Sequence, residues 1–361
     1  MLKFEVTMKL AEDPSYPLFL RLQSLLEQIP IIEKVKIIGD GPSMDEGVDY
    51  LIQVRIDKTT YVLACETKNN GQPRFVRSAI KTLRSYMYGR EEILTPVLLA
   101  PYLSADSRQI CQENNIAFLD MEGNAQLQFG GVYIDHRMPG KPVPEKRGLR
   151  TMFSPKSAQV LRMMLNDPLR TWKVTELSEE GKVSLGHASN VRKNLLEREW
   201  AVISSEGLTL NKPGALVNEW RDNYRPIQGK KKNFYTPLHG NALESQLRNL
   251  LGCDEVQGSA ILASFSAAQW LSPYGRTGMH FFFADEKGME RLISGLKLST
   301  TSKGANVTIT VPNDEGIFLD AIEPAPGIVT TGVIQTYLDL TVQGERGQEA
   351  AEHLRNEWME W

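Results

Sequence analysis

Cysteine is scarce in this 361-residue chain, with Cys65, Cys111 and Cys253 far apart in sequence. That spacing excludes a disulfide framework and a zinc module built on paired Cys or His ligands. Long apolar runs are missing too. No stretch approaches the roughly 18 apolar residues of a membrane-crossing helix. The first residues, MLKFEVTMKLAEDPSYPLF, contain no continuous apolar segment of the kind a secretory signal needs. A cytoplasmic location without a membrane partner is therefore expected. Internal repeats of 20–50 residues are absent. A charge excess of one sign is also lacking: 41 Lys+Arg stand against 44 Asp+Glu, a net −3. Taken over the whole chain, that balance gives no hint of a polyanionic partner.

What is present is an ordinary globular composition, 41% hydrophobic and 24% charged, with length enough for two or three domains. Two stretches read as connectors. Met138–Gly148 (MPGKPVPEKRG) has three Pro and two Gly, and Arg225–Lys232 (RPIQGKKK) combines Pro, Gly and three Lys. Proline fixes φ and removes a backbone donor, which suits an exposed link better than a core. The chain then divides into 1–137, 149–224 and 233–361. Lys141–Lys232 holds 18 Lys+Arg and 10 Asp+Glu, a net +8, so the remainder carries −11. The near-neutral total hides a basic centre, and a basic centre tolerates an anionic partner.

In the central segment, Ser154-Pro155 suits a helix start, and Val160, Leu161, Met164 and Leu165 repeat at helical spacing. A short helix from about Lys173 to Glu180 should end at Gly181. Another runs from Ser184 to about Arg198, with Leu185, Ala188, Val191, Leu195 and Leu196 as its buried stripe. Ala201–Ser204 and Leu208–Leu210, joined by Ser205-Glu206-Gly207, read as a hairpin. Together, KVTELSEEGKVSLGHASNVRKNLLEREWAVIS and its flanks resemble the winged helix-turn-helix family. The resemblance implies a recognition helix in the major groove of double-stranded DNA, with donors and acceptors near its N-terminal half. Ser184, His187, Ser189 and Asn190 supply them, while Arg192, Lys193 and the wing would hold phosphate.

The N-terminal segment alternates as α–β–β–β–α–β–α–β and ends in a hairpin, an α/β domain with a mixed sheet. The helix of about Arg74–Tyr88 is long and basic. Asp49 lies at the start of the expected strand Val48–Ile56, and Glu66-Thr67-Lys68 closes the next, Thr60–Thr67. Residues two apart on a strand share a face, so Glu66 and Lys68 point together and strand pairing can bring Asp49 beside them. Two carboxylates can hold a divalent cation, and a lysine can balance phosphoryl charge. Asp49, Glu66 and Lys68, followed by a basic helix, make residues 15–125 resemble the PD-(D/E)XK restriction-endonuclease-like fold. That likeness implies Mg²⁺ or Mn²⁺ held by Asp49 and Glu66, with Lys68 as the catalytic lysine. Val48 stands where the motif name has proline. Gln72 and Arg77, and Glu27 on the first helix, are further polar candidates.

The C-terminal segment alternates helices and strands as another α/β domain, with Gly258–Gly275 read as one helix rich in small residues. Gly258-Ser259 is not followed by the paired acids of a nucleotidyltransferase. Residues 150–361 resemble the AbiEi-type antitoxins of type IV toxin–antitoxin systems. The likeness rests on Gly258-Ser259-Ala260, Trp270-Leu271-Ser272-Pro273, and the block from Gln335 to Leu340 with Gly344-Glu345-Arg346-Gly347. It implies a DNA-binding regulator without a cofactor and a nucleotidyltransferase-like toxin as partner; separately, a symmetric operator would suggest a homodimer. The expectation is a three-part chain: a restriction-endonuclease-like mixed sheet, a central winged helix-turn-helix and a C-terminal α/β domain. It would act as a transcriptional regulator. A metal-dependent endonuclease targeted by the winged helix is the alternative, and an interaction scaffold is a third class.

Overall fold

Strand and helix formation in the first part of the chain follows the burial each segment needs, as the computed structural model shows. It describes residues 15–39, 47–90, 94–254, 256–275, 277–301 and 303–361. The chain divides into two compact units: residues 1–146 with 197–199, and residues 147–196 with 200–361.

The first unit opens with helix α1 (Tyr16–Glu27) and strands β1 (Ile32–Gly39), β2 (Tyr50–Ile56) and β3 (Thr59–Thr67). Helix α2 (Pro73–Met87), β4 (Leu94–Ala100), helix α3 (Ala105–Glu113), β5 (Ala117–Asp120), β6 (Ala125–Phe129) and β7 (Val132–His136) follow. The seven strands form one sheet in chain order. Pairing is antiparallel from β1 to β3, parallel from β3 through β5, and antiparallel again to β7. The parallel steps require crossovers, which α2 and α3 provide. Tyr50, Ile52, Val54, Leu63 and Cys65 face α1 through Leu18, Phe19, Leu22 and Leu26. Ala64, Leu98 and Phe118 pack on the other face with Val76, Ile80, Leu83 and Ile110. The β6–β7 hairpin turns on Gly130 and Gly131, with φ of 51° and 83°. Two successive positive φ values are the requirement of a type I′ turn, which glycine meets without strain.

Helix α4 (Val143–Met152) occupies part of the proline-rich stretch read as a connector, with Val143 and Pro144 in its first turn, where a missing N–H is harmless. The second unit continues with α5 (Pro155–Asn166), α6 (Val174–Glu180), α7 (Leu185–Glu197), the hairpin β8 (Ala201–Ile203) and β9 (Leu208–Leu210), and α8 (Pro213–Asp222). A sheet then forms from β10 (Gly229–Tyr235), β11 (Gly252–Asp254), β12 (Gly258–Leu262), β13 (His280–Ala284), β14 (Ser299–Thr300), β15 (Val307–Pro312), β16 (Ile322–Ala325) and β17 (Ile328–Thr330). Its order is β14-β10-β15-β13-β12-β17-β16, with β11 beside β12. The helices are α9 (Gly240–Leu250), α10 (Ser264–Leu271), α11 (Glu286–Gly295), α12 (Val333–Thr341) and α13 (Gly344–Trp358).

Segments 149–224 and 233–361 share a core. Leu161, Trp172, Leu195 and Trp220 belong to the same apolar cluster as Leu271, Tyr337, Leu338 and Leu354. The polar counterpart is Arg162, 2% exposed. Its Nε donates to both Asp320 carboxylate oxygens at 2.8 and 2.9 Å, Nη1 to Gln335 Oε1 at 3.3 Å and Nη2 to the Gly316 carbonyl at 2.9 Å. Gln335 Nε2 in turn donates to Tyr224 Oη and Asp339 Oδ1, and Tyr224 Oη donates to Asp339. Burial holds the Asp339 carboxyl up at about 6.

Two readings of the sequence change here. Gly258–Gly275 is strand β12 followed by helix α10, not one helix. Most of GSAIL is buried, so it lacks the polar alternation that marks a one-sided strand. Gly229–Lys232, read as connector, is the first half of β10, paired with β15.

Candidate functional site

Two places in the fold gather the residues singled out in the sequence. The first is in the second unit. Helices α5, α6 and α7 pack through Val160, Leu161, Leu177, Ala188, Val191 and Leu195, and β8–β9 follows directly. Lys182 takes φ of 47° in the turn before α7. The Ser178 hydroxyl donates to the Val183 carbonyl at 2.7 Å, and the Val183 amide to the Ser178 carbonyl at 3.0 Å, which fixes that turn. The Ser184 hydroxyl accepts from the His187 amide at 3.2 Å, so Ser184 caps α7.

Along α7, Ser189, Asn190 and Lys193 are exposed, while His187 and Arg192 are half-buried. The spacing 189, 190, 193 places the first three on one outward face. His187 Nε2 lies 3.0 Å from Ser157 Oγ on α5, so that side chain is tied to its neighbour helix. Leu185, expected in the buried stripe, is 54% exposed, because the turn fixed by Ser178 and Ser184 sets its first residue outside the packed face. The hairpin carries Val202 and Ile203 outward and holds no Lys or Arg from Ala201 to Leu210.

The second place is the β2–β3 edge of the first unit's sheet. Tyr50 pairs with Cys65, which sets Asp49 across from Glu66. Residues directly opposite have Cβ atoms roughly 4.5–5.5 Å apart. Asp49 Oδ2 accepts from both the Thr67 amide and the Thr67 hydroxyl at 2.7 Å. Lys68 Nζ donates to Glu66 Oε1 at 2.6 Å. Glu66 is 5% exposed, and burial raises its carboxyl pKa; the Lys68 hydrogen bond opposes that, and the nearby Asp49 charge adds to it. The fold thus brings Asp49, Glu66 and Lys68 together.

Gln72, buried at the start of α2, donates to the Glu145 carboxylate at 3.2 and 3.3 Å. Arg77 pairs with Glu199 at 2.8 Å. Glu27 accepts from Gln23 at 2.7 Å on the surface of α1, the opposite face of the sheet from the carboxylate pair. Among the described residues, no group of three or more His, Cys, Asp or Glu is arranged to hold a metal ion. Burial pushes the Cys111 thiol up to about 12 and Cys65 higher still, so neither is a nucleophile. Among the described residues no helix is long and apolar enough to cross a membrane.

The Arg162–Asp320 pair was missed in the sequence. Its partners lie more than 150 residues apart, and an isolated Arg within an apolar helix face was the one available sign.

Residues 209–360 match the family model of a transcriptional regulator, the AbiEi antitoxin of type IV toxin–antitoxin systems. The match runs from β9 through α13; α5, α6 and α7 precede it. Neither the curated proteins nor the solved structures returned a match.

Proposed function

We propose that this chain is a DNA-binding transcriptional regulator of the antitoxin type, reading duplex DNA with α7. One observation carries the reading: the helix–turn–helix–hairpin order, with Ser189, Asn190 and Lys193 outward on α7, leads straight into the stretch that matches the antitoxin regulators. Asn190 suits bidentate reading of adenine, and Lys193 and Arg192 suit phosphate. Ser184 acts chiefly by capping the helix that presents them. The C-terminal sheet and α12–α13 would engage a nucleotidyltransferase-like toxin or a second copy of the chain. The regulator reading calls for no cofactor.

A gel-shift titration on the DNA upstream of its own gene tests this. His187→Ala/Asn190→Ala should weaken binding by about five- to a hundredfold, since a lost bidentate base contact is worth about 1–3 kcal/mol. Equal binding by variant and parent would show the groove assignment to be wrong.

A second reading, a PD-(D/E)XK-type DNA endonuclease, draws support from the juxtaposed Asp49, Glu66 and Lys68. Two carboxylates suffice for Mg²⁺ when substrate phosphate and water complete its shell. Asp49 and Glu66 would hold Mg²⁺ or Mn²⁺, which supplies charge for phosphoryl displacement, and Lys68 would leave Glu66 to face the phosphate. Metal-dependent nicking of plasmid DNA that disappears in Lys68→Ala supports it. Absence of nicking by the parent in Mg²⁺ and in Mn²⁺ removes it.

A further inference from the structure

Helix α2 carries a basic surface that the regulator reading does not use. From Pro73 to Arg90 there are five Lys/Arg and no Asp or Glu. Val76, Ala79, Ile80, Leu83 and Tyr86 bury one face against the sheet. Arg74, Arg77, Lys81 and Arg84 recur every three or four residues on the opposite face, and all four are exposed. Ser78 and Ser85 are exposed beside them, and Tyr88, just past the helix end, is 91% exposed. Ser78, Lys81, Thr82, Ser85, Tyr88 and Arg90 line an open groove of about 630 Å³. Arg77 is neutralised by Glu199, and Arg84 donates to the neutral Asn114 Oδ1 at 2.7 Å. Arg74, Lys81 and Arg84 keep their charge without a carboxylate partner among the described residues.

A solvated helix face ordinarily mixes both signs of charge, and this one does not. We infer that α2 is a second DNA-contacting surface, a cationic stripe that follows the duplex backbone without reading bases. The inference rests on the DNA-binding reading above and extends it to the first unit. Ten residues of helix, Arg74 to Arg84, span about 15 Å. Duplex DNA presents a phosphate about every 3.4 Å of axis per strand, so roughly four phosphates of one strand lie along the stripe. Three uncompensated cations and flanking hydroxyls match that lattice, because Arg, Lys and Ser are common phosphate donors. A bilayer would call for Leu, Trp or Phe interleaved with the cations, and this face offers Tyr88 alone.

The test is the salt dependence of binding by the full chain. The probes are a 30-bp duplex of the upstream sequence and a scrambled 30-bp duplex. Each neutralised phosphate contributes about 0.9 to the slope of log K against log salt. Arg74→Ala/Lys81→Ala/Arg84→Ala should therefore flatten the slope by about 2–3 on both duplexes. The preference for upstream over scrambled DNA should stay unchanged. Arg74→Lys/Arg84→Lys should keep the parent slope, which a merely structural role would not predict, and far-UV circular dichroism checks folding of each variant. An unchanged slope in the triple variant overturns the stripe and leaves the α7 reading standing. No duplex binding by the parent overturns both. Loss of binding to phosphatidylserine vesicles in a triple variant that keeps its DNA slope overturns the stripe in favour of a membrane.

Discussion

Arg162→Met isolates the buried ion pair that joins α5 to the C-terminal part of the second unit. Methionine keeps most of the aliphatic stem but deletes the guanidinium. Asp320 then loses its cation, and Gln335 Oε1 and the Gly316 carbonyl each lose a donor. Breaking one side of a buried pair leaves an uncompensated charge and destabilises by about 3–5 kcal/mol. All six tryptophans, Trp172, Trp200, Trp220, Trp270, Trp358 and Trp361, lie in the second unit, so intrinsic fluorescence during urea unfolding reports that unit alone. With an m-value of about 2.5 kcal/mol/M, the midpoint should fall by roughly 1.5 M. The loss should also depend on pH. Burial already raises the Asp320 carboxyl, and Arg162 is the main influence lowering it. Without Arg162 the folded carboxyl climbs further above its unfolded value. Its stabilising protonation is then present at low pH and is lost as pH rises through the folded pKa. The variant should therefore be closer to the parent at pH 5 than at pH 8. Arg162→Met/Asp320→Leu should recover stability relative to the single variant, because both charges are gone. A loss below about 1 kcal/mol at pH 8, or a double variant no better than the single, would refute this account of the pair.

Asp339 gives a related signature. Its folded carboxyl stands at about 6 against an ordinary 3.8, raised first by burial. The parent should lose on the order of 1 kcal/mol from this group between pH 5 and pH 8, and Asp339→Asn should lack that slope in fluorescence-monitored melts. Gly288→Ala, which helix propensity alone would favour, should destabilise by at least about 2 kcal/mol. A Cβ there would sit 2.0 Å from the Ser259 carbonyl oxygen of β12, and a thermal shift of either sign near zero would contradict that packing. Lys68→Ala should leave the first unit folded by circular dichroism, since Nζ is partly exposed and its partner Glu66 can take up the proton that its raised pKa favours.

Much of the layout was legible in the chain because local patterns carry it. The α2 apolar stripe, the β2–β3 alternation, the β6–β7 hairpin and the start of α7 at Ser184 are decided within a few residues, where period and turn chemistry act. The Asp49–Glu66–Lys68 grouping was also legible, since strand alternation fixes Glu66 and Lys68 on one face and a two-residue turn at Asp57-Lys58 fixes the register opposite Asp49. The strand–helix break inside Gly258–Gly275 was not, because a strand buried on both faces loses its alternation. The strand made from Gly229–Lys232 was not either, because three consecutive lysines suit a linker as well as they suit a strand whose lysines all face solvent.

The sequence alone determined the basic centre, the order of helices and hairpin, the uniform charge of α2 and the absence of a cysteine-based DNA reader. Tertiary structure decided what those local features become. It tied His187 to Ser157 and set Glu66 in a site where burial outweighs the help of Lys68. It also merged the central helices with α12 and α13 around one core and closed Arg162 against Asp320. The physical reason is distance along the chain: burial and ion pairing between residues 150 positions apart leave no local period to read.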